Sequence, residues 1–134
     1  VTAENYLESR SINERFGQYE EFKNIFEKHP LLGVGPNNYV YVLFVQNPGL
    51  SPWLYQPVHN VYLLFLAEWG IAGTIFALFL SYWFFKEIWK NSREILPLWI
   101  LVATAFLFDH YFYTSYSGIL IICILVALSI KTQR

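Results

Sequence analysis

Val61–Phe85, VYLLFLAEWGIAGTIFALFLSYWFF, is a run of 25 residues in which Glu68 is the one formally charged side chain. A bilayer core takes about 20 apolar residues in helical form, so this run reads as a transmembrane helix. The whole chain agrees. It is 55% apolar and 20% aromatic but only 14% charged, whereas soluble domains carry about 25% charge. Net charge is −1 with no basic cluster, which excludes an electrostatic nucleic-acid surface.

The lone Cys123 cannot form an intrachain disulfide, and the N-terminus lacks the basic, apolar and small-residue sections of a signal peptide. With no methionine in 134 residues, the chain is expected to be a piece, the C-terminal end of a larger protein.

Upstream of the apolar run, residues 1–60 are soluble in character and hold most of the acids. Ser11-Ile-Asn-Glu14 fits a capping box, and Ile12, Phe16, Tyr19, Phe22 and Phe26 follow at helical spacing. A helix starting near Ser11 and ending at His29-Pro30 is expected, since the α region is disfavoured before proline; His29 would cap its C-terminal end. LLGVGPNN and NPGLSPW are turn-forming. Between them YVYVLFV is open to two readings, a buried strand-like piece or a helix docked on the membrane.

Downstream, Ile95–Phe108 and Ser117–Ile130 are further apolar stretches separated by the polar corner DHYFYTSY. The expected fold is therefore all-α and integral to the membrane. Transmembrane helices are expected over about 61–85, 95–108 and 117–130, and residues 1–60 form an extracytoplasmic amphipathic helix and loop. Lys86, Lys90 and Arg93 follow the first span, and Lys131 and Arg134 follow the third. An odd number of spans puts both groups on one side, the cytoplasmic side by the positive-inside rule.

Glu68 inside the run poses a question, because a lone carboxyl there costs about 2.5–3.5 kcal/mol on insertion scales. On a straight helix starting at His59, nine residues turn the chain by about half a circle and advance it by about 13–14 Å. His59 and Glu68 would then face opposite ways. His59 would share its face with Gly70, Gly73 and Ala77, small residues that admit another helix. Glu68 would be protonated or meet a polar partner from a helix outside this chain.

Three segments together suggest a family: ERFGQYEEFKNIFEKHPLLGVGPNNY (Glu14–Tyr39), PVHNVYLLFLAEWGIAG (Pro57–Gly73) and FDHYFYTSYSG (Phe108–Gly118). They resemble the C-terminal part of the O-antigen ligase and polymerase-like membrane glycosyltransferases, from Arg15 to Gly118. The specific features are an arginine near the start of a helix, a Pro-Leu-Leu-Gly-x-Gly-Pro exit, and His-Asn entering a span that holds Glu and Gly-x-x-Gly. Tyr19 departs from the tryptophan often found in the family.

The resemblance implies a polytopic enzyme of the bacterial inner membrane. It would move glycan from a polyprenyl-diphosphate carrier to an acceptor hydroxyl on a glycan, a lipid or a protein, at the outer face, with no cofactor and no metal. It places the catalytic roles on His59 and Arg15, with Arg15 also binding the diphosphate. Arginine suits that task because its planar fork is a permanent cation matched to phosphate oxygens; at the start of a helix the free N–H groups would assist. An imidazole can serve as base towards a hydroxyl near neutrality.

Asn60, Asp109 and His110 complete the expected substrate-binding set, Asp109-His110 reading either as an ordinary polar turn or as a carboxylate orienting an imidazole. No His or Cys spacing suggests a metal site. Gly33-Val-Gly35 fits neither phosphate-loop pattern and is expected to serve tight backbone turning. A transporter or sensor fragment with an outer ligand-binding loop is the alternative. That reading would want charged residues along the spans, where Glu68 alone qualifies.

Overall fold

The computed structural model describes the backbone of residues 3–131 and the side chains of residues 13–130. Its elements are α1 (Ala3–Lys28), α2 (Tyr39–Gln46), a 3-10 turn at Pro52–Leu54, α3 (Val61–Asn91), a 3-10 turn at Arg93–Ile95, α4 (Leu96–Ala105), α5 (Tyr111–Thr114) and α6 (Tyr116–Lys131). No strand occurs among the described residues, so the all-α expectation holds and YVYVLFV is a helix.

The start of α1 differs from the sequence reading. The helix runs unbroken through Ser11 from Ala3, so Ser11 does not begin it and Arg15 lies about three turns inside it. The apolar stripe also differs. Ile25 is the fully buried anchor, whereas Phe16 and Tyr19 are exposed. Ile25, with Phe22 beside it, meets Tyr39 and Leu43 of α2 and Leu64 and Ala67 of α3 in the main core. The last turns of α1 thus meet the rest of the chain, and the Phe16 and Tyr19 side chains remain largely uncovered.

The loop after α1 explains the form of α3. At Gly70 the helix is interrupted, with φ 65° and ψ −172°. In an unbroken helix the Ile71 and Ala72 amides would donate to the Ala67 and Glu68 carbonyls. Here the Pro30–Gly35 loop takes all of these groups. Val34 N–H donates to Ala67 O at 3.0 Å, Gly35 N–H to Glu68 O at 2.9 Å, Ile71 N–H to Pro30 O at 2.9 Å and Ala72 N–H to Leu31 O at 3.0 Å.

Two glycines make the approach possible. A Cβ on Gly33 would lie 2.4 Å from the Glu68 carbonyl, and one on Gly70 would lie 2.4 Å from Leu31 O. Both have positive φ, which a side chain penalises. The expected tight turning at Gly33-Val-Gly35 is present. The straight helix expected through Gly70 is not: what the small residue admits is a loop backbone rather than another helix.

α3 is the one helix among the described residues clearly long and apolar enough to cross a membrane. Its 31 residues would measure about 46 Å, and the part after Gly70 about 31 Å, which matches a bilayer core. The other two expected spans, about 95–108 and 117–130, form helices short of a full crossing, the first shorter than expected and the second slightly longer. α4 has 10 residues and α6 has 16, about 15 and 24 Å, so three full crossings are not established. α6 joins α3 and α4 through Ser129, whose hydroxyl accepts from Trp99 Nε1 at 3.1 Å and whose carbonyl accepts from Ser92 Oγ at 3.3 Å.

Candidate active site

His59 lies just before α3, held from two sides. Asn60 caps the helix: its Oδ1 accepts from Leu63 N–H at 3.1 Å, and its Nδ2 donates to Leu107 O at 3.3 Å. From α1, Gln18 Oε1 accepts the His59 N–H at 3.2 Å. Val61 N–H donates to Phe106 O at 2.8 Å, bringing the end of α4 and the corner after it against the same point. Asn60, expected to bind substrate, therefore has both ends of its amide committed to placing the chain. Gln18 was not singled out in the sequence, although it sits one helical turn after Arg15 on the same face.

A cavity of about 550 Å³ opens here, lined by Glu14, Arg15, Gln18, Glu21, Trp53, His59 and Asp109 among others. Arg15 and His59, 44 positions apart, also line a smaller recess of about 130 Å³ with Gln18 and Tyr19. Glu14, Gln18 and Glu21 fall at helical spacing, so the polar face of α1 forms one wall. Burial raises the Glu21 carboxyl above its ordinary range. Arg15 is far from the helix start, so the expected help from free helix N–H groups is absent there.

The polar corner completes the arrangement. Asp109 Oδ1 lies 3.8 Å from His59 Nδ1 and accepts the Tyr111 N–H at 3.1 Å. His110 stacks on His59 with ring centroids 5.1 Å apart, while its Nδ1 pairs with Thr114 Oγ1 at 2.8 Å. The carboxylate expected to orient His110 thus faces His59. Burial, then the neighbouring His59, holds His110 below the usual imidazole range, with Asp109 pulling the other way.

His59, Asp109 and His110 each offer a ligand atom, all within 4.8 Å of one another. A tetrahedral divalent ion needs donors about 3.4 Å apart, so these side chains would have to draw together to hold one. The resemblance assigns all three to one site, but their approach to within 4.8 Å is not legible in positions 50 apart.

Glu68 is buried, 3% exposed, and its partner belongs to this chain rather than to a helix outside it. Tyr113 donates its hydroxyl to Glu68 Oε2 at 2.9 Å. That hydroxyl in turn accepts from Trp69 Nε1 at 3.1 Å. Burial, with the Glu68 carboxylate adding to it, pushes the Tyr113 phenol up to about 12, which keeps the donating proton in place.

The family model described as O-antigen ligase matches residues 1–78. The chain belongs to the O-antigen ligase family. The match covers α1, the Pro30–Gly35 loop, His59 and the break at Gly70. The Phe108–Gly118 corner, which carried part of the sequence resemblance, lies outside it. No curated protein and no solved structure matches the chain. Membership places the protein in a family of membrane glycan-processing enzymes of ligase or glycosyltransferase type, acting in general on lipid-linked glycans and acceptors.

Proposed function

We propose that this chain carries the transfer site of a bacterial inner-membrane glycan ligase or polymerase that uses a polyprenyl-diphosphate-linked donor. The observation that carries the reading is the meeting of Arg15, His59 and Asp109 on one cavity. The acceptor hydroxyl loses its proton to the His59 imidazole as its oxygen bonds to the anomeric carbon of the donor. The bond from that carbon to the diphosphate oxygen breaks, and the electron pair leaves with the diphosphate. Arg15 binds that growing charge through its guanidinium fork. Asp109, beside His59, favours the imidazolium that forms. Asn60 and Gln18 hold the His59 backbone, so their contribution is placement.

This reading puts residues 1–60 and the corner at Asp109–Tyr116 on the outer face. Lys86, Lys90 and Arg93 lie inside by the positive-inside rule, and the chain is multi-pass within its parent protein. Membrane lipid surrounds the apolar part, and nucleic acid has no role.

In the full-length enzyme His59→Ala abolishes transfer while the protein accumulates normally. Arg15→Lys loses most activity, because an ammonium cannot replace a bidentate fork. Retained transfer in both Arg15→Lys and Arg15→Ala would remove the diphosphate role. Cysteine reporters at Asn47 and Ser115 react with an impermeant reagent from outside, and one at Asn91 does not; labelling at Asn91 would reverse the orientation.

A further inference from the structure

We propose that Glu68 is a positioning residue for the His59 site, acting through Tyr113; the inference rests on the transfer reading above. Glu68 makes no hydrogen bond to His59 among the described contacts, and its Oε2 is taken by the Tyr113 phenol. That phenol is held at both ends, donating to Glu68 and accepting from Trp69. The Tyr113 ring also packs edge-on against Phe65 at 6.2 Å. Its placement fixes α5, a helix of four residues that cannot hold its shape alone.

From α5 the constraint passes to the site. The Tyr113 and Thr114 amides donate to the His110 carbonyl at 2.9 and 3.1 Å. Thr114 Oγ1 pairs with the His110 ring, and the Tyr111 amide holds Asp109. The segment from Ala103 to Thr114 is thereby fastened to α3 at two points. One is at the helix start, through Val61 N–H to Phe106 O, Asn60 to Leu107 and Tyr62 to Ala103. The other is at Glu68 and Trp69. Asp109 and His110 form the bridge between these fastenings, against His59. Releasing the second leaves the bridge anchored at one end, and small misplacements of a catalytic group are costly in rate.

The test uses the full-length enzyme in membranes, assayed with polyprenyl-diphosphate-linked glycan and acceptor extracted from the producing cell. Tyr113→Phe and Glu68→Leu are expected to lower kcat by about tenfold or more while KM for the donor changes little. Glu68→Gln restores activity to within about threefold of the parent, since the amide oxygen still accepts the phenol proton. Tyr113→Phe combined with Asp109→Asn costs little more than the worse single change, because Tyr113 acts by holding Asp109 against His59.

Four results would overturn the proposal. Glu68→Gln could be as inactive as Glu68→Leu in protein that accumulates normally, which would assign the carboxylate to the chemistry. Tyr113→Phe could be fully active. The Tyr113 and Asp109 effects could multiply. Or kcat could fall only in proportion to membrane accumulation. A parallel His59→Ala variant separates the two readings: transfer by that variant removes the site reading, whereas its inactivity beside an active Tyr113→Phe removes only the positioning role.

Discussion

Around Gly70 the carbonyls and amides released by the break in α3 are taken up by the Pro30–Gly35 loop, whereas over residues 75–80 the side chains of the same helix find little of this chain to touch. Ile75, Phe76, Leu78, Phe79 and Leu80 are all more than half exposed. In water such a contiguous apolar surface would be an aggregation site; in hydrocarbon or against other membrane helices it is an ordinary one. The first region is satisfied by its own backbone and a buried core, the second by surroundings that are not part of this chain. The difference teaches where the stability of each lies. Around the break it is directional hydrogen bonding and close approach; along the span it is the solvent.

Substitutions separate the two. The largest effect is expected at Gly70→Val, where a branched side chain meets both a positive φ and the Leu31 carbonyl. Misfolding and loss of the full-length protein from the membrane should follow, read as steady-state abundance. Normal abundance would mean that the loop can withdraw and that the closure is dispensable.

Next comes Ile75→Arg on the exposed face of α3. It should cost about 2.5–3.5 kcal/mol of insertion free energy if that face meets lipid, read in a membrane-insertion assay of α3 with its flanks. An unchanged insertion efficiency would place that face against water.

A smaller effect is expected from pH. The His110 pKa lies below its unfolded value, so the stability it contributes is present above an unfolded pKa of about 6.5 and is lost as pH falls through the lowered folded value. Thermal stability of the full-length enzyme should therefore decline on acidification below about 6.5, and His110→Gln should flatten part of that decline. Identical slopes for both proteins would show that the burial of His110 beside His59 carries no such linkage.

The smallest is Phe16→Ser. The ring is 67% exposed, so this change should move stability within about 0.5 kcal/mol if nothing outside the chain covers α1. A larger loss in the full-length protein would identify the upper part of α1 as a docking face for the remaining spans.

The apolar run, the two glycines of the loop and the histidine at the threshold of α3 were all legible in the sequence, because each is a local signal. Periodicity gave α1 but misjudged its start and its buried face. Ser11–Glu14 has capping chemistry that the continuing helix overrides, and only the position of α2 makes Ile25 rather than Phe16 the anchor. The break at Gly70 was hidden for a physical reason. A glycine in an apolar run reads as a packing surface until the partner is known, and the partner lies more than thirty positions upstream. The same is true of Glu68 and Tyr113, and of Asp109 and His59, whose pairing depends on how α4 returns to α3.

The closure at Gly70 also bears on how the protein is made. Its hydrogen bonds join positions 33 to 41 residues apart, so the loop leaves the ribosome before the helix segment it completes. Until the two meet, the Ala67 and Glu68 carbonyls can pair with the Ile71 and Ala72 amides only in a helix that runs straight through Gly70. The break at Gly70 is therefore not a property of α3 by itself. It forms as Pro30–Gly35 docks, when bonds within the helix are exchanged for bonds to the loop.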